Sequence, residues 1–159
     1  MSLHRLAFTG HRDAPPQVEQ MLTSELRSEA NRLGGRAVGL TCLADGADTM
    51  FARAVARCGW DLEVVVPAEQ YRESLPPEHW PSYDAFLAMA VKVHRLPFVG
   101  STPEAHLAAG QYMVDHCDAL YAVWDGEPAR GPGGTADIVA YAHERGCPVK
   151  VVWPEGVHR

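Results

Sequence analysis

The chain has 159 residues, of which 47% are hydrophobic and 21% charged, and its formal net charge is −6 at pH 7. That length suits one domain able to bury a core without staples, and the composition excludes disorder of the whole chain. The acidic balance argues against a general nucleic-acid binder, which shows a basic surplus or stripe, but a single phosphate needs only a few local donors.

The chain opens MSLHRLAFTGHRD, with no long apolar stretch after a basic start. No run approaches the ~20 apolar residues of a spanning helix. No membrane partner is therefore expected, and the cytoplasm is the expected compartment. Leu3 to Thr9 reads as the first strand. Pro15 and Pro16 lead into a helix whose Val18, Met21, Leu22, Leu26, Ala30 and Leu33 share one face, and Gly34-Gly35 ends it. Ala37 to Cys42 reads as a second strand. Leu43-Ala44-Asp45-Gly46-Ala47-Asp48 turns into a helix with Phe51, Ala54, Val55 and Cys58 on one face. Leu62 to Val66 is a third strand, closed by Pro67.

Pro76, Pro77 and Pro81 prevent a long helix from crossing residues 71 to 81. The pattern predicts a helix over Asp84 to Lys92 and a short fourth strand over Val93 to Leu96. Ser101-x-x-Glu104, with Pro103 between, predicts a capping box opening a helix that runs to about His116. Ala119 to Trp124 is the fifth strand. A Gly/Pro-rich loop spans Gly126 to Gly134, a helix follows from Thr135 to Arg145, and Val149 to Trp153 is the last strand.

The alternation is β-α throughout, and the strands are largely apolar, as strands covered on both faces are. The expected fold is a single-domain α/β structure over residues 1–159, a Rossmann-like open parallel sheet with helices on both faces. Cys42, Cys58, Cys117 and Cys147 form no CxxC pair and read as buried free thiols. Neither a metal site nor an organic cofactor is implied.

Open parallel sheets bind ligands outside the carboxyl ends of their strands. Three turns fall there. Thr9-Gly10-His11-Arg12 offers a close backbone approach, an imidazole and a guanidinium fork. Asp45-Gly46-Ala47-Asp48 opens a helix. Asp48 reads either as its N-cap or, with Asp45, as a group for ribose hydroxyls or catalysis. The third turn, Gly133-Gly134-Thr135, follows Trp124-Asp125-Gly126 and joins amide donors to a hydroxyl at a helix start. Asp137 sits in that helix's first turn, where it either complements the helix dipole or acts on a ligand. Trp80 and Tyr83 either fill the hydrophobic surface or stack on a base, and Asp115 is a further candidate to face the pocket. GxGxxG, GxxxxGK[ST] and GxSxG are all missing.

Phe8-Thr9-Gly10-His11-Arg12, Leu43 to Asp48, Met113 to Gly126 and Gly133-Gly134-Thr135, in this order, resemble the SLOG superfamily. That group joins the Lonely Guy phosphoribohydrolases to the DNA-processing Smf/DprA proteins, and the sequence is most similar to its YpsA-like branch. The resemblance implies a Rossmann-like fold, a phosphate site at the GGT turn, and a homodimer. Lonely Guy enzymes carry an Arg and a Glu where this chain has Ala109 and Ile138, so both polar groups expected at the ribose are replaced.

Three functions follow as expectations. The first is a domain binding a nucleoside phosphate or nucleotide-derived ligand, with phosphate at Gly133, Gly134 and Thr135 and Arg12 neutralising it. The second is a nucleoside-monophosphate N-glycosidase in which Asp48 or Asp137 stabilises an oxocarbenium-like ribose or activates water. The third is an adaptor for single-stranded nucleic acid or a protein, with nucleic acid disfavoured by the charge.

Overall fold

The structure, a computed structural model, describes residues 3–128 and 134–158. Its strands are β1 (Arg5–Gly10), β2 (Val38–Thr41), β3 (Asp61–Ala68), β4 (Lys92–Phe98), β5 (Ala119–Val123) and β6 (Val149–Val152). Its helices are α1 (Val18–Leu33), α2 (Ala47–Arg57), α3 (Tyr71–Ser74), α4 (Trp80–Met89), α5 (Pro103–Asp115) and α6 (Thr135–Glu144), with a 3-10 turn over Pro77–His79. All six strands are parallel, in the order β4-β3-β2-β1-β5-β6.

That order fixes where a ligand can sit. From β1 to β4 the chain steps one way across the sheet. It then returns through α5 to pair β5 with the other side of β1. Right-handed crossovers therefore place α1, α2 and α4 on one face and α5 and α6 on the other. The core follows that division. Leu6, Phe8, Val64 and Val66 pack with Leu22, Leu26, Phe51 and Tyr83, while Ala7, Leu40, Val65 and Leu120 pack with Ala109, Met113, Ile138 and Ala142. Alternation along β1 sends successive side chains to opposite layers. Phe8 and Phe51 stack with ring centroids 4.5 Å apart. Gly110 brings α5 hard against α6, since a β-carbon there would lie 2.1 Å from Ile138 Cδ1.

Element ends are set by local chemistry. Gly34, at φ 74°, closes α1, and the Gly35 amide reaches back to the Ala30 carbonyl. Several boundaries differ from the pattern in the sequence, β3 among them, which runs through Pro67 to Ala68 rather than closing there. Helix α4 begins at Trp80 because Pro81 falls in its first turn, where a missing amide costs nothing. Strand β4 extends to Phe98 through Pro97, since only its β3 side is paired. The cap of α5 is Thr102, whose hydroxyl accepts from the Ala105 amide, and Ser101 instead bonds His106 Nε2. The four cysteines are free thiols but half-buried rather than buried, and Cys117 and Cys147 approach to 3.6 Å between sulfurs. Among the described residues no helix is long and apolar enough to cross a membrane.

A buried ion network ties β1, β3 and β4 to α5. Arg5 donates to both oxygens of Glu63 at 2.9 and 3.0 Å. His94 Nε2 donates to the same carboxylate at 2.7 Å, and His94 Nδ1 hydrogen-bonds the Tyr112 hydroxyl at 2.7 Å. Glu63 is only 7% exposed. Burial alone would raise its carboxyl, but the bonds from Arg5 and His94, and their charge, hold it below the ordinary value. A carboxyl lowered on folding contributes stability that is complete above its unfolded pKa and lost as pH falls through the folded value. Glu63→Ala is expected to cost about 1–3 kcal/mol at pH 7, because Arg5 and His94 lose their shared acceptor while Arg5, 30% exposed, keeps its bond to the His116 carbonyl. Urea denaturation at pH 7 and at pH 3 checks this, and the gap narrows at the lower pH.

Candidate functional site

The turn after β2 is strained and held from several sides. Leu43 is buried and left-handed, at φ 58°. A branched-chain side group pays of order 1–2 kcal/mol there. Its amide donates to Thr41 Oγ1 at 3.1 Å, and its carbonyl accepts from His79 Nε2 at 2.9 Å. The next residue is equally fixed, with the Ala44 amide donating to Asp48 Oδ2 at 3.0 Å and the Thr49 hydroxyl donating to the Ala44 carbonyl at 2.8 Å. Asp48 is therefore not the N-cap of α2. Gly46 is, at φ 84°, and Asp48 turns its carboxylate back to bind the loop.

This turn meets the one after β1. A β-carbon on Gly46 would lie 2.1 Å from the Arg12 carbonyl oxygen, and one on Gly10 would lie 2.7 Å from Ala47 Cβ. The contact is made by the backbone, with the Ala47 amide donating to the His11 carbonyl at 3.2 Å. The His11 amide in turn donates to the Val123 carbonyl at 3.2 Å, which ties in the end of β5. His11 Nε2 lies 3.3 Å from Asp125 Oδ1, both side chains are buried, and Trp153 stands edge-on to the imidazole.

Between these turns lies a cavity of about 630 Å³, within the usual range for small-molecule sites. Thr9, Gly10, His11, Arg12, Asp45, Asp48, Gly134 and Thr135 line it, as the sequence pattern expects. It opens at the carboxyl edge of the sheet, where the strand order reverses between β1 and β5. Gly46 and Ala47 stand behind the wall and shape it. Asp125 backs His11 rather than lining the cavity, and Gly126 is exposed beside it. Asp137 is not among the lining residues either, and Gly133 lies outside the described residues. Asp115 does not face the pocket, because it binds Tyr141 and Arg145 on the outer surface. Tyr83 is buried in the core and Trp80 packs under the Arg72 guanidinium, so both serve packing and neither lines the cavity.

Sequence reasoning missed one wall. Cys42, Pro67, Tyr71, His106, Gly110 and Met113 also line the cavity. Tyr71 follows the carboxyl end of β3, a position that parallel topology marks as site-forming. His106 meets it edge-on, with ring centroids 5.8 Å apart, and only the crossover of α5 brings the two together.

The two ends of the cavity differ in charge. On the α6 side, the amides of Asp137 and Ile138 bond back to the Gly134 carbonyl. The amides of Thr135 and Ala136 precede those bonds at a helix start, where backbone donors have no partner within the helix. On the α2 side stand Asp13, Asp45 and Asp48, with Arg12 the one arginine or lysine among the described lining residues. Arg12 Nε lies 3.6 Å from Asp45 Oδ1. Burial pushes the Asp48 carboxyl up to about 7, Asp45 adds to the rise, and the Ala44 amide and Arg12 oppose it. Burial likewise raises the Cys42 thiol and the Tyr71 phenol well above their ordinary values. Burial, then the charge of Arg12, lowers His106.

No family model matches the sequence, and no curated protein matches it. Solved structures do. DNA processing protein A of Streptococcus pneumoniae aligns with TM-score 0.70 and 17% identity, over 94% of this chain and 50% of that one. The molybdenum cofactor binding protein of Rippkaea orientalis aligns with TM-score 0.63 and 15% identity, over 95% of this chain and 77% of that one. The chain shares their Rossmann-like fold. A third match is the molybdenum cofactor carrier protein of Chlamydomonas reinhardtii, with TM-score 0.58 and 18% identity, over 94% of this chain and 76% of that one. The chain spans only half to two thirds of the DNA processing proteins it matches, the second being that of Helicobacter pylori, described as binding single-stranded DNA.

The Asp48 carboxyl supplies a direct test of the site's electrostatics. A carboxyl raised on folding binds more protons folded than unfolded between its ordinary value and about 7, so stability falls as pH climbs through that window. Asp48→Asn keeps an oxygen for the Ala44 amide and removes the charge. It is expected to be more stable than the parent at pH 8, by roughly 2–4 kcal/mol, and equal to it near pH 4. Urea titrations at both pH values measure the difference.

Proposed function

We propose that this SLOG-type domain binds a small phosphate ester, a nucleoside monophosphate or related nucleotide-derived molecule, across the carboxyl edge of its sheet. The observation that carries the reading is the convergence of three turns on one cavity whose ends differ in charge. A helix start with a hydroxyl, at Gly134 and Thr135, lies on one side of the sheet edge, and carboxylates lie on the other. A helix N-terminus favours an anion through its free amides and partial positive charge. The phosphate sits at Thr135, and Arg12, half exposed at the rim, swings from Asp45 to neutralise it. The donor-bearing end of the ligand faces Asp45 and Asp48. Both structural relatives named for molybdenum cofactor bind a small molecule by their descriptions, which agrees with a pocket rather than a surface track.

Binding without hydrolysis is the better account of the chemistry. Ala109 is fully buried, and Ile138 turns its side chain onto Gly110. Neither position offers a polar group to a ribose. Asp137 is not among the lining residues, so the carboxyls that line the cavity, Asp13, Asp45 and Asp48, all stand on the α2 side. Carboxyls gathered on one side, with none described opposite them on the α6 side, do not flank a bond as the paired groups of glycosidic cleavage do.

A thermal-shift series with nucleoside mono-, di- and triphosphates, and with single-stranded oligonucleotides, tests the reading. A monophosphate is expected to raise Tm at concentrations well above its Kd, and chromatography is expected to find no released base. Thr135→Val and Arg12→Ala are each expected to weaken that binding by about tenfold, the loss of one charge-assisted or hydroxyl hydrogen bond. A shift with oligonucleotides alone removes the small-molecule reading.

A further inference from the structure

We propose that the buried end of the cavity reads the 2-amino-4-oxopyrimidine edge shared by guanine and pterin rings. Asp48 accepts from the ring N–H and the exocyclic amine, and Tyr71 donates to the ring carbonyl. The inference rests on the phosphate-ester reading above and names the other end of that ligand.

The cavity divides by exposure. At its mouth, the Arg12 and Asp45 side chains are 49% and 31% exposed, while Asp48 and Tyr71 are 8% and 2% exposed. Ribose hydroxyls suit the wetter mouth, and a flat ring suits the buried end. The buried end carries apolar walls from Phe8, Pro67 and Met113, against which a heteroaromatic ring loses water at little cost.

The polar groups there are few, and their senses are defined. Asp48 Oδ2 accepts from the Ala44 amide, while Oδ1 has no hydrogen bond among the described residues and is not sealed from the cavity. A carboxylate only 8% exposed is poorly hydrated, and an occupant that brings N–H groups to its open oxygen lowers that cost. Tyr71 lines the same cavity as Asp48 and Cys42, and its phenol, raised well above the ordinary value by burial, stays protonated at neutral pH, so it donates. An acceptor beside a donor is the complement of a ring edge that presents adjacent N–H donors and then a carbonyl. An adenine edge presents an unprotonated ring nitrogen instead, which repels an ionised Asp48.

Calorimetric titration at pH 8, where Asp48 is largely ionised, tests this with guanosine, inosine and adenosine monophosphates, ribose 5-phosphate and neopterin monophosphate. Guanosine monophosphate is expected to bind at least about tenfold more tightly than inosine monophosphate, which lacks only the amine, because a site built to hydrogen-bond a group rejects its absence. Asp48→Asn is expected to close that gap, weakening guanosine monophosphate more than inosine monophosphate, which loses only its ring N–H bond, and Tyr71→Phe to weaken both alike. The neopterin ester binding more or less tightly than guanosine monophosphate assigns the edge to a pterin or to guanine. Equal affinity for the guanine and inosine nucleotides overturns the inference but leaves the phosphate-ester reading standing. No binding of any ester, ribose 5-phosphate included, overturns both.

Discussion

The site exists because two β-carbons are missing where the first strand's turn touches the second helix. Gly46 places its α-carbon against the Arg12 carbonyl, and Gly10 admits Ala47. A larger residue at Gly46 drives backbone away from backbone, and one at Gly10 drives against the Ala47 β-carbon and the Phe8 ring. The amide of Ala47 then closes on His11, and the amide of His11 on Val123, so the ends of β1, α2 and β5 move as one piece. The cavity is the space this arrangement leaves at the point where strand order reverses.

Around that contact the chain accepts local strain and buries groups it would otherwise leave in water. Leu43 holds a left-handed backbone, and Asp48 sits in a dry wall with its carboxyl raised to about 7. Such departures from local preference gather where a fold serves a ligand. The surrounding structure sustains them. His79 and Thr41 fix Leu43, and the Phe8–Phe51 stack and the Arg5–Glu63–His94 network hold the strands beneath. The polarity of the cavity follows from topology, since α2 and α6 approach the edge from opposite faces.

Much of this is written in the residues. Apolar strands alternating with amphipathic helices specify a parallel sheet, and parallel connectivity sends every βα turn to one edge. Thr9 to Arg12, Asp45 to Asp48 and Gly134-Thr135 were therefore legible as one site. What sequence could not show is side-chain direction within a turn. Asp48 reads as an N-cap by position, yet bends back to Ala44 because Gly46 already starts the helix. Ser101 reads as a cap, but His106 claims its hydroxyl and Thr102 takes the role. Tyr71 and His106 escaped notice because their meeting depends on the long α5 crossover, which carries no local signal.

The most direct measurement is an amide-resolved NMR titration of the protein with a nucleoside monophosphate. The account predicts that the largest shifts fall together on Gly10 to Arg12, Ala44 to Asp48 and Gly134 to Ala136, and saturate with one dissociation constant. Shifts confined to the exposed β4 edge or the outer face of α6, with these three turns silent, would contradict it.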